Sequence, residues 1–181
     1  MLNTPPIPFD NSYWVRPGQL LAGEYPGSRP GYISRTEDIV RERLQALVEL
    51  DINVIIDLSR AGEGEDYREL LRQEARRHNV KVEYTRMPIL DMGVPTVDEM
   101  VKILDKIDQS LINNLAVYVH CMAGMGRTGM VVGCHFVRHG VQKDLVIPYI
   151  QELRKNISYG KYPSPETKTQ EQFIYAWQPG Q

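Results

Sequence analysis

The stretch HCMAGMGRTG, His120 to Gly129, lies between two apolar runs, LAVYV before it and MVVGCHFV after it. Apolar residues that stop at a cluster of glycines and then resume predict a buried strand, a tight turn and a helix start. Such a turn offers successive backbone N–H groups, and the positive end of a helix, to a single anion. The stretch therefore reads as a phosphate cradle built from Met122, Ala123, Gly124, Met125, Gly126 and Arg127. A thiol at the floor of that cradle loses its proton easily, so Cys121 reads as a nucleophile. Five residues on, Arg127 brings a planar fork that holds two phosphoryl oxygens at once, which a lysine ammonium does not. Gly124 and Gly126 permit backbone angles that turn amides inward, and Gly129 clears space beside the helix start. Thr128 is expected to donate its hydroxyl to the sulfur, favouring the thiolate and easing its departure. The competing reading is a buried cysteine beside a glycine turn. At roughly one in twenty per residue type, however, seven specified positions arise by chance in fewer than about one such chain in a million.

Outward from this motif the chain alternates. Thr36–Leu50, with Val40, Leu44, Leu47 and Val48 at helical spacing, predicts a helix, and NVIIDL at 53–58 a buried strand. A second helix is expected over Tyr67–His78 and a second strand over Val80–Met87. Thr96–Ile112 opens on TVDE, a Ser/Thr-x-x-Glu capping box, and carries one apolar stripe. Leu115–Val119 is the strand that feeds the cradle. Arg127–His139 is a helix apolar on nearly all sides, which belongs at the centre of a fold. Helices near 142–155 and 165–176 follow. Near the start, Tyr13–Gly27 is broken by two Pro-Gly pairs and reads as a short edge hairpin. Strands alternating with helices predict an α/β fold, a central mainly parallel sheet flanked by helices, with the ligand beyond the carboxyl ends of the strands.

The chain has 181 residues, 42% hydrophobic and 24% charged, enough for one buried core. A net charge of −2 provides no field for nucleic acid or an anionic membrane, so any anion site is local. The two cysteines, Cys121 and Cys134, form no disulfide framework and no CxxC pattern, which suits a reducing compartment. The opening MLNTPPIPFD lacks a basic region and an apolar core, and no eighteen apolar residues run together. A cytoplasmic protein without a membrane anchor is expected. Cys134 lies about 10 Å along its helix from Arg127, beyond disulfide reach of Cys121, and reads as a core thiol. His78, His135 and His139 show no metal spacing with partners and read as surface or filler residues. No metal and no cofactor are expected.

The motif His-Cys-x5-Arg-Thr resembles the signature of the cysteine-dependent protein tyrosine phosphatase superfamily. The chain lacks the Lys-Asn-Arg-Tyr loop of the larger members, and HCMAGMGRTGMVVGCHFVRHG followed by SPETKTQEQF is similar to small microbial phosphatases of the dual-specificity type. The resemblance covers about residues 50–176. It implies phosphomonoester hydrolysis through a phosphocysteine, phosphate or sulfate in the loop, and a phosphorylated protein or peptide as partner. On this reading residues 1–30 form an extended arm with edge strands and 31–181 the phosphatase domain. A poor leaving group needs an acid. Asp91 in PILDMGVPT stands where the family carries its mobile acid loop, whereas Asp98 is explained by a helix start. His120 is expected beside the thiolate, bonded to loop carbonyls. Aligned to the segment that carries a water-positioning glutamine in the family, the chain has Glu166, with Gln170 a neighbour. Glu166 is then either a helix-start carboxylate or a negative group close to the phosphoryl. Met122 and Met125 stand where the phosphatase and tensin homologue has lysines for an inositol ring. This disfavours such a substrate unless Arg60 or Arg86 lines the pocket. Three readings remain: a protein phosphatase, a phosphoinositide or inositol phosphate phosphatase, and a non-catalytic phosphate-binding module.

Overall fold

Alternation along the strands decides what covers each face of the sheet. In β5 (Ala116–His120), Val117 and Val119 point to one core while Ala116 and Tyr118 point to the other. Leu20 and Ala22 against Leu21 do the same in β2 (Leu20–Gly23), as period-two geometry requires. In β3 (Ile52–Asp57) the alternation slips once: Ile52 and Ile55 share one face, Val54 and Ile56 the other. A register shift against β5 between Ile52 and Val54 accounts for it, and there the Asn53 side chain accepts a hydrogen bond from the Ala116 amide at 3.2 Å.

The computed structural model describes residues 4–181; the first three residues of the expected arm lie outside the described residues. The sheet has five strands in the order β1-β2-β5-β3-β4, where β1 is Ser12–Arg16 and β4 is Glu83–Arg86. Only β1–β2 is antiparallel; β2–β5, β5–β3 and β3–β4 are parallel. Helices α1 (Glu37–Glu49) and α2 (Arg68–Arg77) cover one face. The other is covered by α3 (Val97–Ile112), α4 (Gly126–Arg138), α5 (Lys143–Arg154) and α6 (Lys168–Ala176). The expected mixed fold, a mainly parallel sheet between helices, is therefore present. Thr96 and Glu99 form both hydrogen bonds of the capping box. In α4 every residue from Gly126 to Val137 is buried, which explains its apolar girth.

Three expectations need correction. The hairpin exists, but only β1 is an edge strand; β2 is interior, and its four residues, buried on both faces, show too short a pattern to reveal the parallel partner. The strand at 80–87 is confined to Glu83–Arg86, because Val80 and Val82 pack against the α1/α2 core outside the ladder. The last helix starts at Lys168, since Thr167 caps it with Gln170 in a second capping box. Residues ahead of the hairpin run across the surface. Trp14 Nε1 donates to the carbonyls of Pro5 and Pro6, and Arg43 lies over the Phe9 ring at 3.8 Å.

Candidate active site

The four mutually parallel strands all end on one side, and the loops leaving them meet there. A pocket of about 360 Å³ takes Arg29 and Tyr32 from the loop after β2, Glu63 from that after β3 and Asp91 and Met92 from that after β4. Cys121, Met122, Ala123, Met125 and Arg127 come from the turn between β5 and α4, and Glu166 from the segment before α6.

The turn is held by its carbonyls. Met122 O accepts from the Tyr25 amide at 3.1 Å and from Arg29 Nη1 at 2.6 Å, while Met125 O accepts from Ser164 Oγ at 2.9 Å. These bonds fix the carbonyls of Met122 and Met125 at the two sides of the turn. Gly124 has φ +71°, and a Cβ there would sit 2.5 Å from the carbonyl carbon of Gly23, so backbone angle and space both demand glycine. Arg29 is itself fixed by a buried cluster in which Glu24 binds Arg29 at 3.0 Å, Arg35 at 2.8 Å and Arg43 at 2.7 Å. Sequence reasoning missed this support for the turn, because the four residues gather only in three dimensions.

Cys121 is 2% exposed at the pocket floor. Arg127, equally buried, reaches Glu63 Oε2 at 2.7 Å with Nη1, Asp91 Oδ1 at 2.9 Å with Nη2, and the Ile89 carbonyl at 3.2 Å. Burial works against the guanidinium charge, but Cys121, Glu63 and Asp91 together outweigh it and raise the pKa. The structure thus brings Cys121, Arg127 and Asp91 together, with Asp91 64% exposed at the mouth. Glu63 was not anticipated, and its one signal is a position in the loop after a parallel strand. His120 is buried beneath the floor, donating from Nδ1 to the Cys121 carbonyl at 3.2 Å and accepting at Nε2 from Tyr67 OH at 2.7 Å. Burial lowers its pKa, in keeping with this neutral tautomer. Asp57 underlies the same region, accepting from Tyr84 OH, the Ser59 hydroxyl and amide, and Arg86. Burial would raise its pKa, yet His120, Ser59 and Tyr84 hold it down.

Glu166 lies ahead of α6 and is not a helix-start carboxylate of it: its Oε2 accepts from the Gly126 amide at 2.9 Å, at the first residue of α4. Burial raises its pKa, the Gly126 hydrogen bond opposes this, and Asp91 adds to it. Gln170 is buried; its Oε1 accepts from the Glu166 and Thr167 amides, and its Nε2 donates to the Gly93 carbonyl at 3.1 Å, tying α6 to the Asp91 loop.

Other expectations fail here. Thr128 Oγ1 is buried without a hydrogen-bond partner, so the bond to the Cys121 sulfur is not formed; the hydroxyl sits in the dry first turn of α4 with its donor uncommitted. Arg86 does not line the pocket because Asp57 holds it at 3.1 Å, and Arg60 lies outside it too; the wall arginine is Arg29. His135 and His139 are not mere filler. One helical turn apart, on α4 and at its C-cap, both approach Asp108 of α3.

Residues 31–141, well over half of the chain, match the family described as "Tc-R-P: Polymorphic toxin system, DSP-PTPase phosphatase". The chain belongs to this family. Among curated proteins it is similar to uncharacterized protein MJECL20 of Methanocaldococcus jannaschii, 34% identical over 95 residues and 52% of this chain. The chain spans 59% and 50% of the lengths of the first two curated relatives it matches. The DSP-PTPase fold is also seen in solved structures. Kinase associated phosphatase superposes with a TM-score of 0.69 at 18% identity, covering 92% of each chain. TpbA of P. aeruginosa in complex with pTyr gives 0.66 at 16%, over 96% of this chain and 88% of that one. PTPMT1 in complex with PI(5)P gives 0.61 at 19%, over 92% and 96%. Among the described residues, no helix of this DSP-PTPase chain is long and apolar enough to cross a membrane.

Proposed function

We propose that the chain hydrolyses phosphomonoesters through a phosphocysteine on Cys121, acting on phosphotyrosine in proteins or peptides, with phosphothreonine and phosphoserine as secondary substrates. The observation that carries this reading is the convergence of Cys121 and Arg127, from the turn after β5, and Asp91, from the loop after β4, on one pocket. The phosphoryl group sits in the turn, its oxygens on the amides of Met122 to Met125 and on the Arg127 fork, while the Gly126 amide stays with Glu166. Those oxygens displace Asp91 from Arg127 and turn it toward the leaving oxygen. The Cys121 thiolate attacks phosphorus in line, the P–O ester bond breaks, and Asp91, which takes up a proton from solvent once freed from Arg127, passes it to the departing alkoxide or phenolate. Water, deprotonated by Asp91, then attacks the phosphocysteine; the P–S bond breaks and the thiolate is restored. His120 positions the Cys121 carbonyl, and no step requires a metal or cofactor.

The pocket walls support the aromatic substrate. Met92, Met122, Met125, Pro30 and the 72% exposed Tyr32 are apolar or aromatic, and no lysine lines the pocket. Its two arginines are already engaged with carboxylates, so little charge remains for an inositol ring bearing several phosphates. The test compares kcat/KM for a phosphotyrosine peptide, a phosphothreonine peptide and a phosphoinositide, for wild type, Cys121→Ser and Asp91→Asn. The serine variant is expected to bind but not turn over, and Asp91→Asn to lose about 10²- to 10⁴-fold, most with poor leaving groups. Full activity of the serine variant, or a preference for the phosphoinositide, overturns the reading.

A further inference from the structure

At the far end of α4, about 14 Å along its axis from the turn, a second group of polar side chains faces the C-terminal half of α3. Asp108, His135 and His139 each point one ligand atom into the same space, all three within 4.8 Å of one another. His135 is 2% exposed, and its buried Nδ1 has no hydrogen-bond partner; Asp108 Oδ1 stands 3.5 Å away. His139 Nε2 lies 3.0 Å from the same oxygen. A buried ring nitrogen without a partner costs free energy, and here its lone pair or proton is directed at a carboxylate shared with a second imidazole.

We propose that Asp108 Oδ1, His135 Nδ1 and His139 Nε2 bind a divalent transition-metal ion of the zinc type, with water at the fourth position, tying α3 to α4. Two imidazoles and a carboxylate suit such an ion; donors about 2.0 Å from a tetrahedral ion stand about 3.3 Å apart, close to the 3.5 and 3.0 Å that separate Asp108 Oδ1 from the two imidazole nitrogens. His139 can adjust to this spacing. It is the residue at the C-cap of α4, about half exposed, and Gly140 follows at φ +88°. The helix end contributes as well, since the C-terminal end of the macrodipole favours a cation.

The cation already present does not block the site. Arg138 binds Asp108 through Oδ2 at 2.9 Å and Asp105 at 2.8 Å, leaving Oδ1 to the imidazoles. It thus orients the carboxylate as outer partners of metal ligands do. An open groove lined by Arg16, Gln19, Asp108, Leu111, Ile112 and His139 provides the entry path.

Because a cysteine thiolate also takes zinc, the test uses the untagged Cys121→Ser chain, freed of metal by chelation and dialysis. Zn²⁺ is titrated calorimetrically, and Co²⁺ is followed by visible absorption. One saturable site is expected, with tetrahedral cobalt bands and no thiolate charge-transfer band. His139→Gln in the same background, at a half-exposed position, is expected to weaken Zn²⁺ binding at least tenfold. Absence of a saturable site in the Cys121→Ser chain, or affinity unchanged by His139→Gln, overturns the proposal, and neither outcome bears on the phosphatase reading.

Discussion

Replacing Glu166 with glutamine tests whether the carboxylate on the Gly126 amide competes with a bound phosphoryl group. Glutamine keeps the length and an acceptor for that amide, 2.9 Å away in the wild type, and removes only the charge. A phosphate on the neighbouring amides of the turn and a carboxylate on that of Gly126 would stand about 5 Å apart. Two unit charges about 5 Å apart repel by roughly 1 kcal/mol in water and roughly 3 kcal/mol at the effective dielectric of a partly buried site. A middle value of about 1.5 kcal/mol corresponds to about tenfold in Kd. Glu166→Gln is therefore expected to tighten competitive inhibition by inorganic phosphate about tenfold near pH 7. The pH dependence has a definite sign. Because burial raises the Glu166 pKa, the wild-type carboxyl becomes neutral earlier on acidification than an ordinary glutamate, and the two proteins converge there. The assay is the phosphate Ki against an aryl phosphate across the pH range. Equal Ki values near neutral pH, or a ratio that grows as pH falls, refute the reasoning.

The other expectations concern the support beneath the pocket. Arg29→Met leaves Glu24 with Arg35 and Arg43, and the Met122 carbonyl with the Tyr25 amide. Losing one partner of this buried cluster is expected to cost about 2–3 kcal/mol, somewhat below a full pair, and to lower Tm by about 5–10 °C in a thermal melt. An unchanged Tm shows that the cluster does not brace the turn. Gly124→Ala, strained at φ +71° and crowded by Gly23 and Glu24, is expected to reduce kcat/KM by at least about tenfold while circular dichroism stays native. Wild-type kcat/KM in that variant shows that the turn adapts. Asp57→Asn removes a carboxylate whose folded-state pKa is depressed. Such a group stabilises the fold above its unfolded pKa of about 3.9, and the stability is lost as pH falls through the folded value. Denaturant melts are expected to show the variant less stable at pH 7 and less sensitive to acid; parallel curves for the two proteins contradict this.

What could be read from the sequence follows from which contacts are local. The turn at 121–127 is contiguous, so its residue types and spacing state its geometry directly, and the capping box at Thr96 fixes where the Asp91 loop must end. Glu63 is different. GEGEDY at 62–67 offers three acids with no local reason to prefer one, and Glu63 is distinguished only because the loop after β3 carries it to Arg127. His135 and His139 are visible as a one-turn pair, but the carboxylate they face belongs to another helix. The most consequential gap was β2. Once β3, β4 and β5 are recognised as parallel, the loops at 58–66 and 87–96 are already candidates for the site, because parallel strands end on one side. Reading β2 as part of an edge hairpin removed the loop after it from that set, and with it Arg29 and Tyr32. Its parallel partner is nearly a hundred residues away, and a four-residue strand buried on both faces carries no alternation to announce it. A short apolar run ending in glycine, ahead of several arginines, is thus better treated as a potential interior strand whose following loop belongs to the site.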